Sequence, residues 1–95
     1  MLLLALISLA SYGQTAPVTS VQTTQLARLD TRIDETSGIA WHAGSLWTHN
    51  DSGDSASVFQ LARGGEILRE VTIRNADHVD WEAMAHDDQY LYIAD

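Results

Sequence analysis

One pattern of residue types occurs twice in this chain, about 45 residues apart, and it restricts the possible folds more than any other feature. The segment that starts at Glu35 aligns with the segment that starts at Asp80. Acid falls on acid, apolar on apolar and aromatic on aromatic in the pairs Glu35 and Asp80, Ile39 and Met84, Ala40 and Ala85, Leu46 and Leu91, and Trp47 and Tyr92. A period of about 40–45 residues is typical of a β-propeller blade, which has four short antiparallel strands. We therefore predict an all-β fold, with a first blade at about residues 35–74 and the start of a second at about residues 80–95.

Glycine turns and apolar runs predict where the strands lie. We expect strands at residues 38–41, 45–49, 58–62, 67–73 and 89–94. Ala43-Gly44 and Gly64-Gly65 fall between these runs, and glycine readily takes the positive φ that a tight hairpin needs. Alternation along the fourth run predicts that Ile67, Val71 and Ile73 share one face of the sheet.

Two alternatives to this plan stay open. The segment from Val79 to His86 contains good helix formers, so a helical turn competes with a strand there. A blade and a half cannot close a ring, so the propeller prediction implies that further blades follow Asp95. The alternative is a complete small β-sheet protein, which would leave the apolar run from Tyr90 to Ala94 as an unprotected sheet edge.

The N-terminal third has a different composition. Leu2 to Leu9 is a short apolar run, and small residues follow it, which predicts a signal peptide over residues 1–13 with cleavage before Gln14. No lysine or arginine precedes the run, because the first charged residue is Arg28. Residues 14–29 are expected to form a spacer or an entering strand, which we extend to about Ile33, and residues 30–95 the incomplete propeller. The expected location is secreted, periplasmic or on the cell surface.

Charge and composition exclude several classes of function. The chain of 95 residues has a formal net charge of −8 and contains no cysteine. An acidic surface repels phosphate backbones, so we expect no nucleic-acid partner. The apolar run is too short to cross a bilayer of about 30 Å, so we expect no transmembrane span. A small molecule, a glycan or a protein all remain candidate ligands, and cations are the natural partners of the acidic surface.

The aligned acids Glu35 and Asp80 are the first candidate metal ligands. If each precedes the innermost strand of a blade, both lie near one rim of the central channel, where carboxylates of successive blades can meet at one cation. Oxygen ligands of this kind suit Ca²⁺, although another divalent cation is an alternative. The competing interpretation is that each acid only forms backbone hydrogen bonds in the turn before its strand.

Further candidates lie in two polar loops. Residues 49–54 are dense in oxygen donors and contribute Asp51 and Asp54, although they do not match the twelve-residue calcium loop. His78 stands beside carboxylates and could be a metal ligand or a general base, or an ordinary surface histidine. The motifs of zinc proteases, serine hydrolases and phosphate-binding loops are absent from the sequence.

Four segments carry a resemblance to a known group of proteins. They are Glu35-Thr-Ser-Gly-Ile39, Leu46-Trp-Thr-His-Asn-Asp-Ser-Gly53, Val79-Asp-Trp-Glu-Ala-Met-Ala85 and Leu91-Tyr-Ile-Ala-Asp95. Together they resemble the start of a group of exported, poorly characterised bacterial β-propeller proteins. More distantly, the chain resembles six-bladed gluconolactonase-like propellers, where a glutamate at the position of Glu35 ligates a catalytic divalent metal. Thr36-Ser37-Gly38 departs from the Gly-Pro that those enzymes usually have there.

Two functions follow as expectations. The first is an exported propeller that binds a ligand or calcium in a recognition or assembly role. The alternative is a metal-dependent hydrolase of lactonase type, with Glu35 as a metal ligand and His78 or Asp80 assisting a bound water.

Overall fold

The computed structural model describes Pro17, residues 19–52 and residues 55–95. Within these ranges the chain forms six β-strands and no helix, which confirms the all-β class. The strands are β1 (Thr36–His42), β2 (Ser45–Asn50), β3 (Ser57–Leu61), β4 (Ile67–Thr72), β5 (Ala83–His86) and β6 (Leu91–Ala94). No helix in the described ranges has the length and apolar character needed to cross a membrane. The predicted signal peptide lies outside the described residues.

Strands β1 to β4 form one antiparallel sheet in which each strand pairs with the next one along the chain. The turn between β1 and β2 has φ values of 50° at Ala43 and 76° at Gly44. Two successive positive φ values are the geometry of a two-residue hairpin turn, as the sequence predicted. At the β3–β4 turn, φ is 87° at Gly65, and the Gly65 amide donates to the Ala62 carbonyl oxygen at 3.0 Å.

Strands β5 and β6 form a separate antiparallel hairpin. In the segment from Val79 to His86, for which a helical turn was the alternative, no helix forms, and its second half is strand β5. Ala85 pairs with Tyr92 in this hairpin, and Ala40 pairs with Trp47 in the β1–β2 hairpin. These two pairs are also aligned with each other in the sequence, so both hairpins have the same register.

The two faces of the four-stranded sheet have separate apolar cores. One face, which we call the back face, packs against the β5–β6 hairpin through Trp47, Val58, Trp81 and Met84. The opposite face, the front face, has its own core; its members are Ile33, Phe59 and Leu61, with Leu29, Leu46 and Ile67 beside them. Burial on both faces explains why the sheet is rich in apolar residues.

A bulge between β3 and β4 changes one predicted face. Gln60 pairs with Arg69 but the neighbouring Leu61 pairs with Ile67, so β4 contains one extra residue. Val71 and Ile73 pack into the back-face core as expected, whereas Ile67 packs into the front-face core. The prediction that all three share one face was wrong because the bulge reverses the alternation at Ile67.

The segment before β1 lies on the sheet without joining it. No strand forms between Gln25 and Ile33, and the expected spacer or entering strand stays a prediction. The segment is instead fixed by the Asp30 amide, which donates to the Gly65 carbonyl oxygen at 3.1 Å, and by the buried Ile33 side chain. Apolar packing, rather than strand pairing, holds this segment to the front face.

Candidate metal centre

Asp51 lies where the four-stranded sheet meets the β5–β6 hairpin, and its backbone is bound from three directions. Its amide donates to the Glu35 carbonyl oxygen at 2.8 Å. Its carbonyl oxygen accepts from the Trp81 amide at 3.0 Å and lies 2.8 Å from Nε2 of His78. A carbonyl oxygen only accepts, so Nε2 of His78 is the donor. These bonds join the residue after β2 to the start of β1 and to the loop before β5.

Three carboxylates meet at this junction. Asp51, Asp80 and Glu82 each offer an oxygen atom, and these atoms lie within 4.8 Å of one another. Asp51 is partly buried, while Asp80 and Glu82 are exposed. The Oδ1 atom of Asp51 is buried and has no hydrogen-bond partner among the residues that the structure describes. A buried carboxylate oxygen without a partner is costly, because it has lost its hydration and gained nothing in return.

The backbone fixes both outer acids near Asp51. The Glu82 amide donates to the Ala94 carbonyl oxygen at 3.0 Å, and the Glu82 carbonyl oxygen accepts from the Ser37 hydroxyl at 2.9 Å. The Asp80 amide donates to Oδ1 of Asp95 at 3.0 Å. The three carboxylates are thus held by two structural units, with Asp51 on the sheet and the other two at the entry of the hairpin.

Trp81 lies between the two outer acids in the sequence and packs against two histidine rings. It is buried, and its ring meets the His49 ring edge to face at 5.5 Å and the His78 ring at 4.4 Å. Nδ1 of His49 lies 2.9 Å from the Asn50 carbonyl oxygen and is therefore a donor. Nε2 of His49 and Nδ1 of His78 are buried, and neither has a hydrogen-bond partner within the described ranges. The candidate His78 therefore binds the Asp51 backbone, and its free ring nitrogen is not open to solvent.

Asn50 has a structural role that the sequence analysis did not identify. Its side chain is buried, its Oδ1 accepts from the Glu35 amide at 3.3 Å, and its Nδ2 donates to the Arg32 carbonyl oxygen at 3.0 Å. One amide side chain thus satisfies two backbone groups of the loop before β1. The sequence signal was a polar residue at the end of an apolar strand. This signal does not distinguish a buried side chain that bonds to backbone groups from a side chain in an exposed turn.

The candidate ligand Glu35 is not a member of the three-acid group. The Glu35 carbonyl oxygen accepts a hydrogen bond from the Asp51 amide. The Glu35 amide donates a hydrogen bond to the side chain of Asn50, just as the Asp80 amide donates to the side chain of Asp95. Donor and acceptor occupy equivalent positions of the two aligned sequence segments in both hydrogen bonds. Glu35 as a metal ligand stays a prediction. Candidate Asp54 falls outside the described residues.

A further acid, Asp87, organises the turn of the β5–β6 hairpin. The Tyr92 hydroxyl donates to its Oδ2 at 2.6 Å, and the amides of Gln89 and Tyr90 donate to its Oδ1, each at 2.8 Å. The bond from Tyr92 and the two backbone bonds hold the pKa of Asp87 below its usual value. The same hydroxyl bond raises the pKa of Tyr92.

The chain matches no family model, no curated protein and no solved structure.

Proposed function

We propose that this chain forms one blade and the beginning of another in an exported β-propeller protein, and that it binds a divalent cation where the two units meet. Asp51, Asp80 and Glu82 would be the protein ligands. The proposal keeps the expected recognition or assembly role, with the cation joining one unit to the next. Export rests on the apolar run from Leu2 to Leu9.

The observation that carries the cation proposal is the buried Oδ1 atom of Asp51. One carboxylate oxygen of Asp51 lies within 4.8 Å of carboxylate oxygens from Asp80 and Glu82. The Oδ1 atom of the same side chain accepts no hydrogen bond from the described residues. Three carboxylates at such short distances repel one another. A bound cation replaces this repulsion with attraction between the cation and each carboxylate. A cation would also give the buried oxygen a partner.

The donor set favours Ca²⁺ over transition metals. All three side chains offer hard oxygen atoms, and neither cysteine nor imidazole belongs to the group. Calcium accepts about six to eight oxygen ligands in loose geometry, so the exposed side of the group leaves room for water to complete the shell. Magnesium needs a stricter octahedral arrangement and is the natural comparison ion.

The propeller proposal is supported by the sheet geometry. A four-stranded antiparallel meander followed by a hairpin that packs on its back face is the arrangement expected of neighbouring blades. The equal registers of the two hairpins, and the equivalent bonds made by the Glu35 and Asp80 amides, fit a repeated unit.

Calcium titration of the thermal midpoint tests the cation proposal. With a Kd near 0.1 mM, Ca²⁺ at a hundred times that concentration should add about 2.7 kcal/mol to the free energy of unfolding. We expect this gain at constant ionic strength, a smaller gain with Mg²⁺, and none with a chelator. Asp80→Asn and Glu82→Gln should each reduce the gain, and without calcium neither should lower the midpoint, because each relieves repulsion.

Asp88→Asn is the matched control, because it removes one exposed carboxylate outside the group. It should keep the full response to Ca²⁺. A midpoint that does not respond to calcium, or a response that Asp88→Asn weakens as much as Asp80→Asn does, would refute the cation site. Glu35→Gln measures separately whether Glu35 contributes.

A further inference from the structure

Two histidines meet at the C-terminal ends of β1 and β5, away from the candidate metal centre. His42 is the last residue of β1, and His86 is the last residue of β5. Their ring centres lie 5.6 Å apart, with an angle of 64° between the ring planes. His42 is half-buried and His86 is exposed, so solvent reaches the pair. Neutral imidazole is the commonest metal ligand in proteins, and two rings at this separation can bind one ion.

Strand alternation makes both side chains point into the contact between the sheet and the hairpin. Gly38 and His42 are four residues apart in β1 and therefore share one face, which is the back face because a Cβ atom at Gly38 would meet Met84. Met84 packs into the back-face core, and His86, two residues later in β5, points the same way. The two rings are thus brought together by contacts inside the chain.

A hydrogen bond fixes the form of the His86 ring that a metal requires. Nδ1 of His86 lies 3.2 Å from the Asp87 carbonyl oxygen, and because a carbonyl oxygen only accepts, Nδ1 carries the proton. In the neutral ring Nε2 then holds a free electron pair. Histidines that bind metals almost always donate their other ring N–H to a carboxylate, a carbonyl oxygen or water, which fixes the ring orientation.

The spacing of the two rings suits one shared ion. Two imidazole nitrogens that each lie about 2.0–2.1 Å from a tetrahedral ion place their ring centres about 5 Å apart. The observed separation of 5.6 Å is slightly wider, and a small rotation of the exposed His86 side chain closes the difference. We propose that His42 and His86 together bind one Zn²⁺ ion, with water in the remaining coordination positions.

A neighbouring carboxylate favours a cation at this end of the hairpin. Hydrogen bonds from the Tyr92 hydroxyl and from two backbone amides are the main cause of the lowered pKa of Asp87, and the nearby His42 ring adds a smaller contribution. Asp87 is therefore a negative charge close to His42. Opposite charges at short range attract, so this carboxylate supports an ion held by the two rings.

The donor atoms separate this site from the three-acid group. Imidazole nitrogen suits Zn²⁺ and Cu²⁺, whereas carboxylate oxygens suit Ca²⁺ and Mg²⁺. Asp80 and Glu82 precede β5 and His86 ends it, so the two sites lie at opposite ends of one strand. The zinc site does not depend on cation binding by the acids. An ion shared by one residue of the sheet and one of the hairpin would stabilise the docked hairpin, because it binds that form alone.

Calorimetric titration of the full chain with Zn²⁺, in the presence of excess Ca²⁺, is the test. The wild-type chain should bind one ion at submillimolar Zn²⁺. His42→Gln and His86→Gln should each weaken binding by more than about tenfold, a loss that even an outer partner of a metal ligand can cause. The double variant should bind about as weakly as either single variant, because each substitution already removes the shared site. Two independent histidines would instead bind two ions, and each single variant would keep one.

Asp80→Asn is the control, because it removes a carboxylate of the three-acid group and leaves both rings in place. It should bind Zn²⁺ like the wild type, whether or not the acidic group binds Ca²⁺. Circular dichroism should show the wild-type sheet signal for every variant. If a histidine variant does not fold, NMR of the wild-type chain decides: the ring signals of His42 and His86 should shift together up to one equivalent of Zn²⁺, and those of the buried His49 and His78 should not.

Four results would overturn the zinc site. The first is a wild-type chain that does not bind submillimolar Zn²⁺, and the second is binding of two ions per chain. The third is a histidine variant that binds as tightly as the wild type, or, in the NMR experiment, ring signals of His42 and His86 that do not shift together. The fourth is a loss in Asp80→Asn as large as the loss in the histidine variants, which would place the ion at the acidic group.

Discussion

Replacing Gly38 with alanine tests how closely β1 and β5 approach each other. A Cβ atom at this position would lie 2.9 Å from the Met84 amide nitrogen and 3.0 Å from the Met84 Cβ atom, and it would also meet Nε2 of His49. None of these neighbours can turn away freely. Met84 presents backbone, and the His49 ring is fully buried against Trp81.

The magnitude follows from the movement that the methyl group requires. Carbon atoms in van der Waals contact lie about 3.5–4.0 Å apart, so β5 must move away from β1 by about half an ångström. Overpacking of this kind costs about 1–3 kcal/mol. Alanine also lowers the conformational entropy of the unfolded chain, which stabilises the folded state by about 0.4–1 kcal/mol. We expect Gly38→Ala to lower the free energy of unfolding by about 1–2 kcal/mol.

Thermal and urea unfolding measure this change. For a domain of 60–100 residues, a loss of 1 kcal/mol lowers the midpoint by about 4–8 °C, so the midpoint should fall by roughly 10 °C. Gly64→Ala is the control, because the three atoms nearest to its Cβ would all belong to the end of the Glu66 side chain, which can rotate into solvent. Gly64→Ala lowers the entropy of the unfolded chain by the same amount as Gly38→Ala does. If the two variants unfold at the same midpoint, then the approach of β1 to β5 does not limit stability, and the reasoning is refuted.

Two further predictions concern the polar contacts at the strand ends. Asn50→Ala leaves the Glu35 amide and the Arg32 carbonyl oxygen without their hydrogen bonds to this side chain. Urea unfolding should show that the free energy of unfolding falls by about 2 kcal/mol. An unchanged midpoint would mean that these two hydrogen bonds do not stabilise the fold. Tyr92→Phe removes a donor from Asp87, so the pKa of that carboxyl, followed by NMR titration, should rise toward its usual value. A lowered pKa stabilises the fold above the unfolded pKa, and this contribution is lost as the pH falls through the folded pKa, so the variant should lose less stability on acidification than the wild type. Equal acid sensitivity would mean that the hydroxyl bond does not act on Asp87.

The sequence predicted the elements whose signals are local. Positive φ at Gly44 and Gly65 is a property of glycine in a tight turn, so both hairpin turns could be located from residue type alone. The strand near Met84 was ambiguous, because helix propensity competes with strand pairing in a segment of four residues. The bulge that moves Ile67 to the front face has no marker in β4, where no glycine is present.

The interior of the candidate site depends on contacts between distant residues, which composition does not report. The sequence places His49 at the end of a predicted strand beside a polar loop, but the side chain is fully buried and its ring packs edge to face against Trp81. The aligned acids predicted a site at Glu35 and Asp80, whereas the carboxylates that meet at Asp80 are those of Asp51 and Glu82. The alignment pointed to the strand ends near Asp80, but it could not show which neighbouring side chains share that space.

The position of the three acids would couple the proposed cation binding to the docking of the hairpin. Asp51 is attached to the four-stranded sheet, and Asp80 and Glu82 lie at the entry of β5. Without a cation, repulsion between these carboxylates opposes the apolar contact of Trp81 and Met84 with the back face. With a cation, the same carboxylates hold the hairpin against the sheet. A cation that binds only the docked form must stabilise docking by as much free energy as docking adds to cation binding. The site would therefore hold the hairpin and the four-stranded sheet together when the cation is bound.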